Sequence, residues 1–438
     1  MNYKNSISIA LLLAACLLQG NVKAQLMSKA VKGTFALTHA TIHTITKGDI
    51  QDGTVVIQDG KIQAVGAGIA TPAGAQVIDC TGKEIYPGLI DAGTHLGLSE
   101  VSSVSLTEDY NEIGDLIPEM QALTAVNPNS AAIPVTRVNG VTTVLTMPSG
   151  GRFPGTAALI DLNGYTPDQM YAGFKVVVLN WPSSGGFGRF DRRSPEDRKK
   201  AEEKALKDLN AYWDQAKEFA ALDAAAKKSG QPRKTDYNPA MEALMPVVNG
   251  EASLLIEVNK DKDILSALRW IKEKNAKAIL GGVSEGWRVA DSIAAAGIPV
   301  LVGPVIDLPT RPSDRYDAPY ANPGKLKAAG VKIAIRTMQT ENVRNLPYHA
   351  GFAAAYGLGK EEALKAVTIY PAEIFGVADQ LGSIEKGKRA DLIVTDGDPF
   401  ETKTNIEKVF IQGWEVPMDS RHIQLYNEFL DRQPGLKK

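Results

Sequence analysis

The chain predicts an α/β fold: a (β/α)8 barrel with a small composite β-sandwich domain built from both terminal segments. Three observations carry this. Residues 34–83 are dense in short strands whose polar and apolar positions alternate. From about 86 to 376 apolar strands alternate with helical patterns. After about 377 the strand-and-turn rhythm returns. Strands that alternate with helices call for a parallel sheet, and this number of them suggests a closed barrel.

The first 24 residues stand apart. Lys4 precedes an apolar run from Ile7 to Leu18, and Val22-Lys23-Ala24 offers a small-residue cleavage site. That is the pattern of a secretory signal peptide, too short to span a membrane as a helix. The expectation is an exported protein, periplasmic or extracellular, beginning at Gln25. Leu13-Ala14-Ala15-Cys16 is the competing reading, a lipobox that would anchor the chain through Cys16; the apolar Leu17-Leu18 speak against it. Without residues 1–24 the 438-residue chain keeps 414 residues, 46 basic and 50 acidic. That balance suggests neither nucleic acid nor an anionic membrane as partner. Cys80 is then the only cysteine, so no internal disulfide is available, and "VIDCTGK" reads as a structural setting for it.

The composite domain is expected from 26–84 and 377–415. "TFALTHATIHTI", "GTVVIQDGKIQAVG" and "AQVIDCTGKEI" alternate and are broken by Asp-Gly and Gly-Lys turns; "LGSIEKGKRADLIVTDGDP" and "IEKVFIQGWEV" resume the pattern. The barrel is expected over 85–376. Its strand candidates are 88–93, 141–147, 174–179, 253–258, 277–282, 299–304 and 332–337, with an ambiguous eighth near 156–161. "DILSALRWIKEKNA" and "GWRVADSIAAAG" are among the helices between them. Residues 190–245 form an inserted, charged, Ala-rich helix whose charges make a solvated face. Residues 416–438 are a polar tail.

"DGTVVIQDGKIQAVG", "VIDCTGKEIYPGLIDAGTHLGL" and "LGSIEKGKRADLIVTDGDP" together resemble the two ends of an amidohydrolase-superfamily protein, nearest the imidazolonepropionase-like branch. The resemblance runs in order over nearly the whole chain after the signal segment. It implies a metal-dependent hydrolase of non-peptide C–N bonds, amides or cyclic amides, in which metal-bound hydroxide attacks a carbonyl and an Asp on the last strand shuttles the proton. It also implies ligands at the barrel mouth: two His on strand 1, one each on strands 5 and 6, and an Asp on strand 8.

Position by position, the chain departs from that set. The strand 1 pair reads Gly93 and His95. Strand 5, "LLIEVNKD", holds Glu257 and Asn259 instead of His. Strand 6, "AILGGVSEGW", has no His, and strand 8, "KIAIRTMQTEN", has Met338 about where the Asp belongs. The five histidines are 39, 43, 95, 349 and 422, so only His95 and His349 lie within the barrel span. His349 reads as structural or surface. His39 and His43 would stand about 13 Å apart on a strand, too far to share an ion. His422 lies in the tail.

No metal or other cofactor is therefore expected, with His95 a vestigial ligand position. The alternative is a single divalent ion in a carboxylate-rich site, with Asp91, His95 and Glu257 as catalytic candidates and Glu257, Glu285 and Glu341 as ligands. Lys175 is a surface residue or a remnant of a bridging lysine. The loops "TMPSGGRFPGTAAL" and "LNWPSSGGFGRFDRR", with Arg152, Arg189 and Arg192, match no phosphate-binding signature. No G-x-S-x-G elbow occurs. Two readings follow: an amidohydrolase with an atypical site, or a non-catalytic member. The second is favoured: it binds a small molecule at the mouth or serves an active paralogue or a second copy as a subunit.

Overall fold

The computed structural model describes residues 29–101, 104–183, 193–230 and 236–432. The signal segment and Cys16 lie outside these.

Eight strands form the barrel sheet, in chain order Leu89–Thr94, Val141–Thr146, Gly155–Asp161, Tyr171–Asn180, Leu254–Val258, Ala278–Gly282, Val300–Val302 and Ile333–Ile335. They are called the first to eighth barrel strands below. Neighbours in sequence are neighbours in space. The ambiguous segment near 156–161 is the third strand, and it corrects the expectation of a wholly parallel sheet. It runs antiparallel to both the second and the fourth strand. Only a short loop joins it to the second strand, and a hairpin-length connection forces reversal.

Interior residues from all eight strands pack into one apolar cluster, among them Ile90, Leu145, Leu159, Val178, Leu255, Ile279, Leu301 and Ala334. The intervening residues, such as Leu254, Ile256 and Val258, face the surrounding helices. Burial on both faces explains why "LLIEV" shows no polar alternation. Ala372, Phe375, Val377 and Leu381 join the interior cluster at the end opposite the mouth, with Phe375 stacked on Phe174 at 4.8 Å. Closure between the eighth and first strands comes beyond the eighth strand's end. Met338 N donates to Gly93 O at 2.9 Å and His95 N to Gln339 O at 3.1 Å.

The terminal segments join in one hydrogen-bonded nine-stranded sheet. Glu84–Pro87 pairs with Leu392–Thr395, so backbone hydrogen bonds run continuously from the N-terminal strands into the C-terminal ones. The sheet encloses its own core of Phe35, Leu37, Ile57, Ile85, Leu392 and Phe410. Asp59 and Gly60, both at positive φ, make the tight turn between Asp49–Gln58 and Lys61–Ala67, a turn whose twist matches the strands it joins. Cys80 is buried there and its thiol is pushed up to about 11 by that burial.

In the insertion, Pro195–Ser229 is a 35-residue helix capped by Ser194, which buries Leu209, Trp213 and Phe219 and leaves its charges in solvent. Within the expected polar tail, Arg421–Leu430 is helical, started by Ser420 accepting from Ile423 N. The two domains meet at a buried polar joint. Arg389 reaches Asp161 and, at 2.9 Å, Asp391. Gln412 Nε2 donates to Asp161 at 2.7 Å.

Candidate functional site

The first strand ends at the mouth with Asp91, Gly93 and His95. Asp91 is fully buried and does not point at an open site. Its Oδ1 accepts from Gly93 N at 3.0 Å and Thr337 N at 3.2 Å, and its Oδ2 from Thr337 Oγ1 at 2.6 Å. It locks the first strand to the eighth. Burial pushes its carboxyl up to about 7, against the pull of those three donors.

His95 lies against Tyr110, ring centroids 4.5 Å apart. Its Nδ1–H donates to Met147 O at 2.8 Å, leaving Nε2 as the acceptor. Burial, with the charge of Arg336 added, holds the imidazole below its usual range. The residue thus keeps the posture of a metal ligand, neutral and oriented through its second nitrogen.

What surrounds it is not a ligand set. Arg336, just past the eighth strand, extends into the mouth with its side chain 3% exposed. Its Nη1 and Nη2 donate to Glu257 Oε1 and Oε2, each at 2.6 Å. This is a bidentate pair in the fork geometry that guanidinium and carboxylate share. Glycines make room for it. A Cβ at Gly93 would stand 2.9 Å from Arg336 Cδ and 3.1 Å from Met147 Sδ. A Cβ at Gly281, opposite Glu257 in the ladder, would stand 2.0 Å from Glu257 Oε1 and 3.0 Å from Arg336 Nη1. The glycines at the first and sixth strands are therefore complementary to the arginine of the eighth.

The other carboxylates do not gather there. Glu285 is buried and accepts from Arg311 Nε at 2.6 Å and Nη2 at 2.5 Å, and from Asp261 N at 3.0 Å. Arg311 also reaches Asp261 at 2.8 Å, so Glu285 anchors the loop after the seventh strand. Glu341 is exposed and, after burial and Glu108, helps hold the Tyr110 phenol up. Among the described residues no three His, Cys, Asp or Glu side chains form a group that could hold a metal ion. Asp91, Glu257 and Glu285 each have their own donor. The donor set does not fit the family's metal.

His349 Nδ1 accepts from Val305 N at 3.1 Å and Ile306 N at 3.3 Å, and burial pushes it down to about 4; it is structural. His39, paired with Asp52, and His43, between Asp49 and Glu84, belong to the sheet domain. His422 meets Arg344. Lys175 donates to Gln121 at 2.7 Å on the surface. Arg152 Nη1 donates to Asn180 O at 2.5 Å, tying the loop after the second strand to the fourth. Arg189 and Arg192 lie outside the described residues. A cavity of about 100 Å³ reaches the mouth between Gly282, Ser284, Gly303 and Asn322. Pockets for small ligands run to several hundred.

Arg336 is the residue that sequence reasoning missed. The available signal was a charge in each of two apolar strands, Arg336 after "KIAI" and Glu257 within "LLIEV". Buried charges of opposite sign on barrel strands seek each other.

The family model described as the amidohydrolase family matches residues 271–416. The amidohydrolase tasK of Hapsidospora irregularis is 24% identical over 405 residues, 83% of this chain, which spans 39% of that relative's length. The imidazolonepropionase of Acidiphilium cryptum is 25% identical over 386 residues, covering 81% of this chain and 89% of its own. The crystal structure of an amidohydrolase from Thermotoga maritima superposes with a TM-score of 0.75 at 27% identity, over 87% of this chain and 99% of that one.

Proposed function

The chain belongs to the amidohydrolase superfamily, on its imidazolonepropionase-like branch, and from that premise we propose that it has given up metal-dependent hydrolysis and works by binding. One observation carries this. Glu257, the residue at the fifth-strand ligand position, is held by both oxygens in a buried pair with Arg336. Gly93 supplies no ligand atom, Met338 only a soft thioether where the family has a carboxylate, and Gly281 and Gly282 supply none on the sixth strand. A lone imidazole is a poor site for zinc, and without a tightly held ion no water is brought to a pKa near 7.

The loop after the first strand supports a partner over a small molecule. It stitches to the loop after the second strand, with Ser149 N donating to Tyr110 O and Arg152 N to Asp115 O, both at 2.7 Å. It thereby sets Tyr110 over His95. The same loop holds Leu106 and Ile113 at 92% and 100% exposure. We read these two fully displayed side chains, on a loop tethered through Tyr110 and Asp115, as the part of the mouth a protein partner would cover. An active paralogue is the partner this reading favours, in an exported compartment. Among the described residues no helix is long and apolar enough to cross a membrane.

The test is made on the mature chain, dialysed against zinc and manganese and then against buffer. Metal content and turnover of amides, lactams, hydantoins and imidazolones are measured with and without chelator. The expected result is well under one ion per chain and no chelator-sensitive turnover. One or two retained ions with chelator-sensitive hydrolysis would overturn the reading and favour the atypical mononuclear site around His95.

A further inference from the structure

We propose that Arg336 is a built-in cation that takes over the ion's mechanical task at the barrel mouth and, by standing there, shuts the ion out. The proposal rests on the reading that this chain does not use metal. It goes further, because it assigns a cause and an order: the arginine must leave before restored ligands can hold a metal.

Geometry carries it. From the eighth strand, Arg336 engages the fifth through two charge-assisted bonds to Glu257. Its Nε lies 3.4 Å from Gly303 O, after the seventh, and its Nη1 lies 4.0 Å from Met147 Sδ, after the second. Gly93 of the first strand and Gly281 and Gly282 of the sixth close round it, their would-be Cβ atoms 2.9, 3.0 and 3.2 Å from its side chain. One side chain, rooted just past the eighth strand, therefore reaches five others: it bonds to the fifth, approaches the segments after the second and seventh, and fills the space beside the glycines of the first and sixth. A metal ion in such a barrel does the same work by drawing ligands from several strands to one point. The guanidinium does it with a fixed charge and a fixed planar fork, and it is never deprotonated.

Exclusion follows from the same contacts. An imidazole introduced at position 93 would have to begin 2.9 Å from Arg336 Cδ. Glu257 has both oxygens engaged. A divalent ion drawn to His95 Nε2 would also meet the repulsion of the guanidinium, the charge that already opposes protonation of that ring.

The experiment compares wild type, Gly93→His, Arg336→Met, Glu257→Met and the doubles Gly93→His/Arg336→Met and Glu257→Met/Arg336→Met. Zinc retained after dialysis and melting temperature with and without zinc are read on each full mature chain. Gly93→His alone is expected to melt lower and retain no more zinc than wild type. Adding Arg336→Met is expected to raise zinc retention at least tenfold over Gly93→His and to make the melting temperature rise with zinc. The Glu257→Met/Arg336→Met double is expected to recover most of the melting temperature that either single loses.

Zinc bound as well by Gly93→His as by its double with Arg336→Met would overturn the exclusion. If that double does not fold, the Glu257–Arg336 cycle decides, and additive losses would overturn the mechanical role. Chelator-sensitive turnover by wild type would instead strike the functional reading. An inert wild type with additive Arg336 and Glu257 losses would remove only the built-in cation.

Discussion

Two buried guanidiniums stand at opposite ends of the barrel, and their surroundings differ. At the mouth Arg336 has one carboxylate, Glu257, and the pair is electrically matched. At the joint with the sheet domain Arg389 stands between two buried carboxylates, Asp161 and Asp391. Burial pushes Asp391 up to about 6, against the attraction of Arg389 and helped by Asp161. Arg389 and Asp391 lie in "GSIEKGKRADLIV", one of the blocks that resembles the superfamily, whereas Arg336 stands where the family's catalytic machinery would be. The difference teaches that the two ends of the barrel balance a buried guanidinium in different ways, one carboxylate for one cation at the mouth and two for one at the joint. The matched pair at the mouth brings its own neutrality; the joint, with a surplus carboxylate, has Arg389 as the cation both carboxylates share, supported by neutral donors from Gln412 and Thr143.

The largest effect that would test this contrast is loss of the joint. Arg389→Met removes the guanidinium that two buried carboxylates share, leaving only neutral donors, Gln412 Nε2 and Thr143 Oγ1 to Asp161 and Gln412 N to Asp391. Breaking a single buried pair costs about 3–5 kcal/mol, and this change is expected to exceed that range. Soluble yield and urea midpoint measure it. A loss no greater than that of Arg336→Met would erase the distinction between the two ends.

At the mouth the expected losses are about 3–5 kcal/mol, or roughly 4–6 °C in melting temperature for a chain of this size. Glu257→Met is expected to cost more than Arg336→Met. A stranded carboxylate can shed its charge by taking a proton, whereas a stranded guanidinium cannot. Melts of both variants at pH 5 and pH 8 check this, and the gap should be wider at pH 5. Equal losses at both pH values would mean that packing of the stems, and not charge, sets the cost.

The mouth was half legible in the sequence. Strand rhythm located seven barrel strands, because burial on both faces leaves apolar runs that stand out between helices. Direction was not legible: "GTAALID" says strand, but only the short loop before it says that it runs backwards. The missing imidazoles could be counted without a structure. What filled their place could not, since Glu257 and Arg336 lie 79 residues apart and meet only through the barrel's closure. Glu285 misled for the same reason: a carboxylate after a strand reads as available until Arg311, on another loop, is folded onto it.

Asp91 allows a smaller, pH-dependent test of the seam beside the pair. Its folded value, about 7, lies above the unfolded 3.8. Stability from this carboxyl is therefore fully present below about pH 4 and lost as pH rises through 7. Asp91→Asn keeps an oxygen to accept from Gly93 N and Thr337 N and turns an amide toward Thr337 Oγ1. The variant is expected to match wild type near pH 4 and to exceed it by about 2–4 kcal/mol at pH 8. Urea titrations across that range check the crossing. A variant less stable than wild type at pH 8 would mean that the charged carboxylate is what closes the seam.

The smallest effect separates the two causes that act on His95. Its imidazole is held down first by burial and then by Arg336, and Tyr110 stacks on it at 4.5 Å. A histidine lowered in the fold contributes stability above the unfolded value near 6.5 and loses it as pH falls. Tyr110→Ala removes the stacked ring and admits water while leaving Arg336 paired with Glu257. The stacking is worth about 1 kcal/mol, so the stability loss at pH 8 is small. At pH 5 it should be smaller still, because a hydrated imidazole takes its proton more cheaply. NMR titration of the His95 ring is the direct measurement, and its midpoint is expected to climb toward 6.5. A midpoint that stays low without the tyrosine would assign the depression to Arg336, making the guanidinium's field, more than the loop's cover, the force that keeps His95 neutral.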